Sequence, residues 1–368
     1  MTTYPYQILE QFSATVFRTI GCATPHAELA AQVLASADLR GVDSHGIARL
    51  AGYVRLWEKK RINARPSVRV VHETPSTAVV DGDAGLGLVV APRAMEVAIN
   101  KARTAGTGWV AVRNSNHFGI AGYHAMMALP HDMIGVALTN ASPLVAPTFS
   151  TDRLLGTNPI AVAIPAGEQP PLVVDMATTT VANGKLEILQ RQAQSAPDGW
   201  IQDKAGHPST DPREVSRGGA LLPLGGDYTH GGHKGYCLGA VVDIFSAVFS
   251  GANYGPWVPP FVSFLDPPSD PVGQGIGHFL GAIRVDAFRP AAEFKQHMDR
   301  WITTFRQART TQGHERVLIP GDPERATEAK RREEGIPLLK PVVDDLLQLG
   351  KKLGIEVKLQ AHDQSQDA

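Results

Sequence analysis

The sequence has few features that would tie it to a membrane, to nucleic acid or to an oxidising compartment. Only two of its 368 residues are cysteines, Cys22 and Cys237, which is too few for a disulfide framework and lacks metal-site spacing. The formal net charge is −1, so no global charge attracts nucleic acid or an anionic membrane. The most apolar window, residues 236–251, is too short to span a bilayer and contains Asp243.

These absences predict a soluble, cytoplasmic protein that binds neither nucleic acid nor a membrane. Residues 1–6 do not contain the basic stretch that precedes the apolar run of a secretory leader. The chain does contain 36 glycines and 27 prolines, a proportion typical of a globular protein with many loops. Its length is sufficient for two or more lobes with a large core.

Both ends of the chain show helical periodicity, and the middle alternates between strands and helices. In the first 60 residues we expect three helices, the last running from Ser44 to Trp57 with Asp43 as its N-cap. Short β-branched runs then alternate with helices, which is typical of a mixed α/β fold. Four later segments are predicted as surface loops (195–228), a buried helix (236–251), a covering loop (256–277) and a strand (283–285). A helix around 294–305, a charged linker, a helix at 342–353 and a polar tail beyond 359 complete the pattern.

One short stretch combines three reactive side chains, since Ser44, His45 and Arg49 lie within six residues. On the predicted helix His45 and Arg49 would share a face. An imidazole can move a proton near neutral pH, and an arginine can hold a carboxylate in a fixed orientation. Oxidation of a small hydroxy acid needs both groups and a hydride acceptor as well. The alternative is a capped surface helix with incidental polar residues.

No ordinary dinucleotide-binding fingerprint is present. Gly82, Gly85 and Gly87 have the wrong spacing, and no close helix or later acidic residue is predicted to complete a Rossmann unit. Two glycine-containing turns could still hold phosphates at helix starts, 117–121 and 232–235. The histidines show no metal-ligand spacing, so we expect no metal.

Six stretches in order, between about residues 5 and 355, resemble the malate/L-lactate dehydrogenase family of NAD(P)-dependent oxidoreductases, which lacks the ordinary Rossmann fold. The matching stretches are Val42–Gly46 with Arg49, Asn114–Gly119, Leu155–Ala161, Val174–Thr179 with Gly184 and Lys185, Gly232–Tyr236 with Asp243, and Ile319–Gly321. The family includes ureidoglycolate, sulfolactate and diketogulonate enzymes and piperideine-2-carboxylate reductases.

The resemblance implies a homodimer with an active site between a helical lobe and a β-rich cofactor lobe. It makes His45 the proton donor or acceptor, oriented by Ser44, and Arg49 the group that holds the substrate carboxylate. His117 lies where some members place the acid/base, so both histidines remain candidates. The implied lobes are residues 1–75 (helical, substrate and dimer), 76–289 (NAD(P)-binding) and 290–368 (a helical segment that packs back on the first).

The resemblance also implies the remaining binding residues. Thr157 and Lys185 would line the substrate side. The cofactor, NAD or NADP, would contact His117, Phe118, Gly119, Ile120, Ala121, Asp175, Met176, Ala177, His233, Lys234, Pro320, Gly321 and Asp322. Nothing in the sequence distinguishes NAD from NADP.

Three positions depart from the family pattern. The segment 148–150 replaces a Trp-Gly-Gly-like turn, Cys237 stands where glycine is common, and Lys185 stands where imino-acid reductases have an acid. Lys185 therefore favours a 2-hydroxy or 2-oxo acid substrate of the malate or lactate type. The alternatives are a cyclic imino acid or a larger hydroxy acid such as ureidoglycolate or sulfolactate. A different class of alternative is a nicotinamide-binding dimer without catalytic activity.

Overall fold

The structure, a computed structural model, describes residues 2–356 and 359 and has a mixed α/β fold, as predicted. The α-helices of these residues are α1 (Tyr6–Thr19), α2 (Thr24–Leu39), α3 (Leu50–Glu58), α4 (Gly87–Ala105), α5 (Ala121–Met126), α6 (Asn183–Arg191), α7 (Gly232–Asp243), α8 (Ala291–Arg306), α9 (Asp322–Glu334) and α10 (Lys340–Leu353). The strands are β1 (Thr2–Tyr4), β2 (Arg69–Glu73), β3 (Thr77–Asp81), β4 (Thr107–Ser115), β5 (Met133–Thr139), β6 (Ile160–Ile164), β7 (Leu172–Met176), β8 (Ile201–Gln202), β9 (Pro208–Ser209), β10 (Ala220–Leu221), β11 (Ile276–Arg284) and β12 (Ile336–Leu338).

A seven-stranded sheet forms the centre of the molecule, in the order β2-β3-β4-β11-β5-β6-β7. Only β3 and β4 pair in parallel, and every other neighbouring pair is antiparallel. A doubly wound dinucleotide-binding fold would have a mostly parallel sheet. The topology therefore confirms the prediction of a fold other than the Rossmann fold.

We expected no helix to follow Gly87 closely, and that expectation was wrong. Helix α4 begins at Gly87 and connects β3 to the parallel strand β4. Any side chain at Gly87 would collide with the loop that follows β4, because a Cβ would lie 2.0 Å from the carbonyl oxygen of Asn116. This close approach places the start of α4 against the loop that carries His117.

Both ends of the chain contribute to one helical layer, as predicted. Strand β1 pairs antiparallel with β12, with Thr2 opposite Leu338. A single buried cluster contains apolar side chains from α1, α2, α3 and α10, including Phe17, Leu50 and Leu346. The tail beyond 359, predicted to be polar and frayed, lies outside the described residues. The division at 75/76 and 289/290 stays a prediction.

The charged segment after Asp322 is helix α9, so the prediction of a linker was wrong. This helix has few apolar residues and therefore lacks the periodicity that reveals a buried face. Its first turn contains Asp322 and Glu324, and its last turn contains Arg331 and Arg332. Charges in these positions complement the helix dipole.

Residues 195–228 contain a small three-stranded sheet, in the order β10-β8-β9, where only surface loops were predicted. Ile201 and Leu221 are fully buried in a cluster that also contains Leu144 and Leu186. Strands of two residues are too short to show an alternating pattern, which explains why the prediction failed.

Helix α7 continues as a π-helical turn, Ile244–Val248, and this segment is not the buried helix that its composition predicted. One side packs inward through Gly235, Gly239 and Val242. The opposite side is 40–57% exposed at its large apolar residues, namely Leu238, Val241, Ile244, Val248 and Phe249. The described part of the chain thus leaves an apolar helix face uncovered.

The predicted covering loop ends earlier than expected, because β11 begins at Ile276 and occupies the centre of the sheet. The remaining loop crosses helix α3, where Phe261 is buried. No helix among residues 2–356 and 359 is long and apolar enough to cross a membrane.

Candidate active site

The stretch around His45 is a turn, so the prediction of a helix from Ser44 to Trp57 was wrong. Residues 43–46 form turns and bends, a short 3₁₀ helix covers Ile47–Arg49, and α3 begins only at Leu50. His45 and Arg49 therefore do not share a helix face. Asp43 is not an N-cap, because its carboxylate pairs with the guanidinium of Arg331 in α9.

Asp38, at the end of α2, holds this turn in place. Its Oδ2 accepts a hydrogen bond from the backbone N–H of Ile47 at 2.7 Å. Its carboxylate fills the space beside Gly46, where a Cβ would lie 1.9 Å from Oδ1. Asp38 is buried, and burial raises its pKa to about 8. The turn therefore depends on a carboxyl group nine residues earlier, a dependence that no local pattern reveals.

The structure brings His45 and His117 together. Their rings are stacked, with centroids 5.6 Å apart and an interplanar angle of 19°. Nδ1 of His45 lies 2.9 Å from the hydroxyl of Ser44, and Nδ1 of His117 lies 2.7 Å from the hydroxyl of Tyr53. No hydrogen bond joins Nε2 of either ring to a described residue. Two imidazole nitrogens thus remain free for a bound molecule.

Both histidines are neutral at neutral pH. Burial, followed by the positive charge of Arg49, lowers the pKa of His45 to about 3. Burial also holds the pKa of His117 well below its usual range, with further contributions from His45 and Arg49. A neutral imidazole has one N–H donor and one nitrogen acceptor, so each ring can either give or take a hydrogen bond.

Arg49 is anchored on two sides. Its Nε donates to the carbonyl oxygen of Ser44 at 2.5 Å, and its Nη1 lies 2.9 Å from a carboxylate oxygen of Glu187 in α6. Asn183 donates to the same carboxylate at 2.9 Å. Sequence reasoning missed Glu187, because its partner lies 138 positions away and nothing adjacent to Glu187 indicates the pairing.

Helix α6 approaches the turn closely at Gly184. A Cβ there would lie 2.4 Å from Nη2 of Arg49 and 2.6 Å from Cβ of Ser44. The glycine therefore allows α6 to cover Ser44 and Arg49. Lys185, predicted to line the substrate side, is exposed, and no ion pair or side-chain hydrogen bond connects it to the described residues.

Phe261 packs against His117, a role that no pattern in the sequence indicates. Its ring centroid lies 4.6 Å from that of His117 and 5.1 Å from that of Tyr53. Two arginines of the α3 region hold the loop through backbone carbonyls: Arg55 bonds to Phe261, and Arg61 bonds to Pro260 at 2.8 Å. His117 thus packs against a loop that hydrogen bonds hold to the helical layer.

Most of the stretches predicted to bind the cofactor come together at one edge of the sheet. The backbone N–H of Gly122, after the loop 117–121, donates to Oδ2 of Asp175 at 2.8 Å. The carbonyl of Pro320 accepts from the N–H of Val173, in the same strand as Asp175. Asp322 faces inward, because its carboxylate is bound by Arg306 and Arg325. The carboxylate of Asp322 is therefore already paired with two arginines of the protein.

Asp175 faces solvent at this edge. Its side chain is exposed, and desolvation by the surrounding protein raises the pKa of its carboxyl group to about 6. Thr157 is adjacent, since its carbonyl oxygen accepts the backbone N–H of Thr178 at 2.9 Å, three residues after Asp175.

His233 and Lys234 lie at the start of α7. Gly231 precedes the helix with φ +93°, a conformation that favours glycine. Nδ1 of His233 is buried without a hydrogen-bond partner among the described residues, and Lys234 is exposed. An unpaired buried nitrogen and the charge of a lysine, at the positive end of a helix dipole, fit an anionic ligand such as a dinucleotide.

These residues connect to the other cofactor stretches through Thr178. The N–H of Leu224 donates to the carbonyl of Thr178, and Gly235 packs against the Leu224 backbone. No group of three or more His, Cys, Asp or Glu side chains in residues 2–356 and 359 is arranged to hold a metal ion.

Comparison with known proteins identifies the family. The family profile described as malate/L-lactate dehydrogenase matches residues 4–347. A malate dehydrogenase of Pyrococcus horikoshii is 41% identical over 353 residues, covering 96% of each chain. An L-sulfolactate dehydrogenase of Methanocaldococcus jannaschii is 37% identical, covering 93% of this chain and 95% of the relative.

A solved structure supports the same assignment. The crystal structure of malate dehydrogenase from Entamoeba histolytica superposes with a TM-score of 0.90 at 34% identity, covering 97% of this chain and all of the other. Together with the two stacked histidines and the anchored arginine, these matches leave one conclusion. The chain belongs to the malate/L-lactate dehydrogenase family and is an oxidoreductase that acts on hydroxy acids with a nicotinamide cofactor.

Proposed function

We propose that the enzyme interconverts a malate-type 2-hydroxy acid and its 2-oxo acid, with His45 as the proton carrier and Arg49 as the carboxylate-binding group. The observation that carries this proposal is the stacked His45–His117 pair beside Arg49, with both Nε2 atoms free. A proton carrier, a cation and a second polar group are what such a reaction requires of the protein.

In the oxidation direction, Nε2 of His45 takes the hydroxyl proton while Nδ1 remains hydrogen-bonded to Ser44. A bound nicotinamide would supply the acceptor for the C2 hydride. The incoming carboxylate offsets the charge of Arg49, which contributes to the low pKa of His45. Substrate binding therefore raises the pKa of His45 towards the working pH.

The cofactor residues act as binding groups. Lys234, His233 and the N-terminus of α7 would hold the phosphates of NAD or NADP. Asp175 to Ala177, together with His117 to Ala121 and residues 320–322, would form the adjoining wall. The contact of Asp175 with the Gly122 N–H, which joins two of these stretches, and the unpaired Nδ1 of His233 support this assignment.

A cluster of arginines favours a substrate with a second acidic group. An open cleft of about 320 Å³ beside Phe261 is lined by Arg49, Arg55 and Arg191. Glu187 and Asp345 pair with two of these arginines, and Arg55 has no ion pair with a described residue. A C4 carboxylate or a sulfonate would complement this surplus of positive charge. Sulfolactate is therefore the second candidate substrate.

The first experiment mixes the protein with NADH or NADPH and oxaloacetate, pyruvate, sulfopyruvate or a cyclic imino acid, and follows the absorbance of the reduced nicotinamide. We expect turnover of oxaloacetate or sulfopyruvate with one preferred cofactor, at a higher kcat/KM than for pyruvate. Cofactor binding without turnover of any acid would overturn the proposal. A preference for the cyclic imino acid would identify an imine reductase instead.

The histidines are tested separately with His45→Ala and His117→Ala. Loss of the proton carrier lowers kcat about 100- to 10,000-fold, the usual size of general acid–base catalysis. We expect this loss for His45→Ala. Full turnover in both variants would contradict the mechanism.

We also propose that the enzyme is a homodimer and that the uncovered apolar face of α7 belongs to the subunit interface. This face continues into an apolar cleft of about 450 Å³, lined by Trp109, Phe245, Phe249 and Phe279 among others. Contiguous exposed apolar surface of this kind marks interaction sites. A second copy of the chain would cover it.

Light scattering after size-exclusion chromatography tests the dimer. The wild type should have twice the chain mass, and Val241→Glu or Phe249→Glu should yield monomer. Phe288→Glu, which changes an isolated exposed aromatic, serves as the control. A monomeric wild type would disprove the interface. The cytoplasmic location stays a prediction from the sequence.

A further inference from the structure

Tyr53 lies in the middle of α3 and has no exposed surface. Its ring packs against Phe17 and Phe261, with centroid distances of 6.1 Å and 5.1 Å. Its hydroxyl reaches Nδ1 of His117 at 2.7 Å. A buried phenol needs a hydrogen-bond partner, and this nitrogen is the partner that the structure provides.

A second donor is directed at the same nitrogen. The backbone N–H of Gly119 points at Nδ1 of His117, with 3.3 Å between the two nitrogens. Gly119 has φ +80°, the conformation in which the chain turns back towards the ring. A side chain there would also press on Leu88 and Val33, each 3.0 Å from the Cβ position.

These two contacts decide which nitrogen of His117 carries the proton. A backbone N–H can only donate, so the Gly119 contact favours an Nδ1 that accepts a hydrogen bond and carries no proton. Tyr53 then donates as well, because an unprotonated Nδ1 has nothing to give. Burial raises the pKa of Tyr53, so its hydroxyl proton is retained. The proton of the neutral ring is therefore on Nε2, the nitrogen without a protein partner.

We propose that Tyr53 and the Gly119 N–H fix His117 as the Nε2–H tautomer, so that His117 donates a hydrogen bond to the C2 oxygen of the substrate. Tyr53 is then a positioning residue, since it acts through His117. This inference rests on the proposed function, because it concerns the oxygen that the reaction oxidises or reduces. It assigns different tasks to the two histidines.

His45 is left as the residue that changes its protonation state. Its Nδ1 contacts a serine hydroxyl, which can donate or accept and so tolerates either tautomer. In oxidation the C2 hydrogen leaves as hydride to the nicotinamide and the hydroxyl proton passes to Nε2 of His45. His117 keeps its own proton and stabilises the negative charge that develops on the oxygen.

The tautomer can be read without substrate. In protein labelled with ¹⁵N-histidine, long-range proton–nitrogen correlations distinguish a protonated from an unprotonated ring nitrogen, and His117→Gln identifies the His117 signals by their loss. At neutral pH we expect protonated Nε2 and unprotonated Nδ1. A protonated Nδ1 in the wild type would overturn the proposal, whatever the enzyme's activity.

Tyr53→Phe tests the positioning role. We expect signals of both tautomers and a kcat about tenfold lower, the loss expected for one hydrogen bond, with a smaller change in KM. Tyr4→Phe removes a hydroxyl from the same helical core and is the control. An unchanged tautomer and kcat in Tyr53→Phe would refute the role of Tyr53. Absence of turnover in the wild type, with protonated Nε2, would refute the proposed function and leave the tautomer assignment standing.

Discussion

Arg49 is bound by other groups of the protein and is also the residue proposed to bind the substrate carboxylate. Glu187 neutralises part of its charge and Ser44 holds its Nε, so the guanidinium is fixed in position before substrate arrives. A preorganised arginine loses little entropy on binding a carboxylate. The cost is competition, because Glu187 and the substrate carboxylate bind the same group.

Arg49→Ala should therefore weaken substrate binding more than it slows the chemical step. Charge-assisted hydrogen bonds contribute about 1.5–3 kcal/mol, which corresponds to a KM increase of roughly ten- to one-hundred-fold. Initial rates over a range of 2-oxo acid concentrations measure this change. Arg65→Ala, which alters an exposed arginine bonded to the backbone of Gly21, is the control. A fall in kcat with an unchanged KM would be the contrary result.

At the scale of elements, helix α3 and the loop that crosses it form one unit. Gly52 is the point of contact, since a Cβ there would lie 2.6 Å from the tip of the Phe261 ring. Phe261 has little room to move, because it is buried between Tyr53 and His117. The glycine is therefore needed for packing, although it lowers the intrinsic stability of the helix.

Gly52→Ala separates these two effects. Helix propensity alone predicts that the alanine variant is about 1 kcal/mol more stable. We expect the opposite, a lower thermal midpoint and a lower kcat, because the methyl group displaces Phe261 from His117. The double variant Gly52→Ala/Phe261→Leu relieves the overlap and should recover part of the stability. A single variant with higher stability and full activity would show that the loop adapts freely.

How far the sequence predicted these elements depends on how local their causes are. The helical ends and the alternating middle were predictable, because α1, α2 and most sheet strands bury residues at regular intervals. The turn at His45 was not predictable, since Asp38 and Arg331 impose it from distant positions. The motif residues themselves were recognisable, whereas Glu187, Phe261 and Tyr53 act only through contacts formed by folding.

At the scale of the whole molecule, several ionisable groups are held in forms they would not keep in the unfolded chain. Burial lowers the pKa of His124 to about 4 and of His278 to about 3, as it does for His45 and His117. His278 is wholly buried between Ser115 and Thr139, behind Phe118. These internal histidines support the loop that carries the active site.

Stability should consequently rise with pH between about pH 4 and 6.5. Below 6.5 the unfolded chain takes up protons on these four histidines that the folded protein does not bind, so acid favours unfolding. Asp38 and Asp175 act in the opposite sense, because their pKa values are raised to about 8 and about 6 and the folded state retains their protons. Between pH 4 and 6.5 the four histidines therefore change the free energy of unfolding more than the two aspartates do. Thermal midpoints in a series of buffers measure the balance.

A higher midpoint at pH 5 than at pH 6.5 would contradict this balance. Asp38→Asn provides an internal check, because it removes a contribution to stability that is lost as pH rises from about 4 to 8. The variant should therefore show a steeper rise below pH 6.5 and a flatter profile above it.

The pairing of β1 with β12, and of α1 to α3 with α10, has a consequence for biosynthesis. A ribosome synthesises α1 to α3 long before residues 336–353. During that time these helices lack their native contacts with β12 and α10. Contacts between such distant segments also slow folding. Until residues 336–353 are made, this apolar cluster is incomplete, and transiently exposed apolar surface of this kind promotes aggregation.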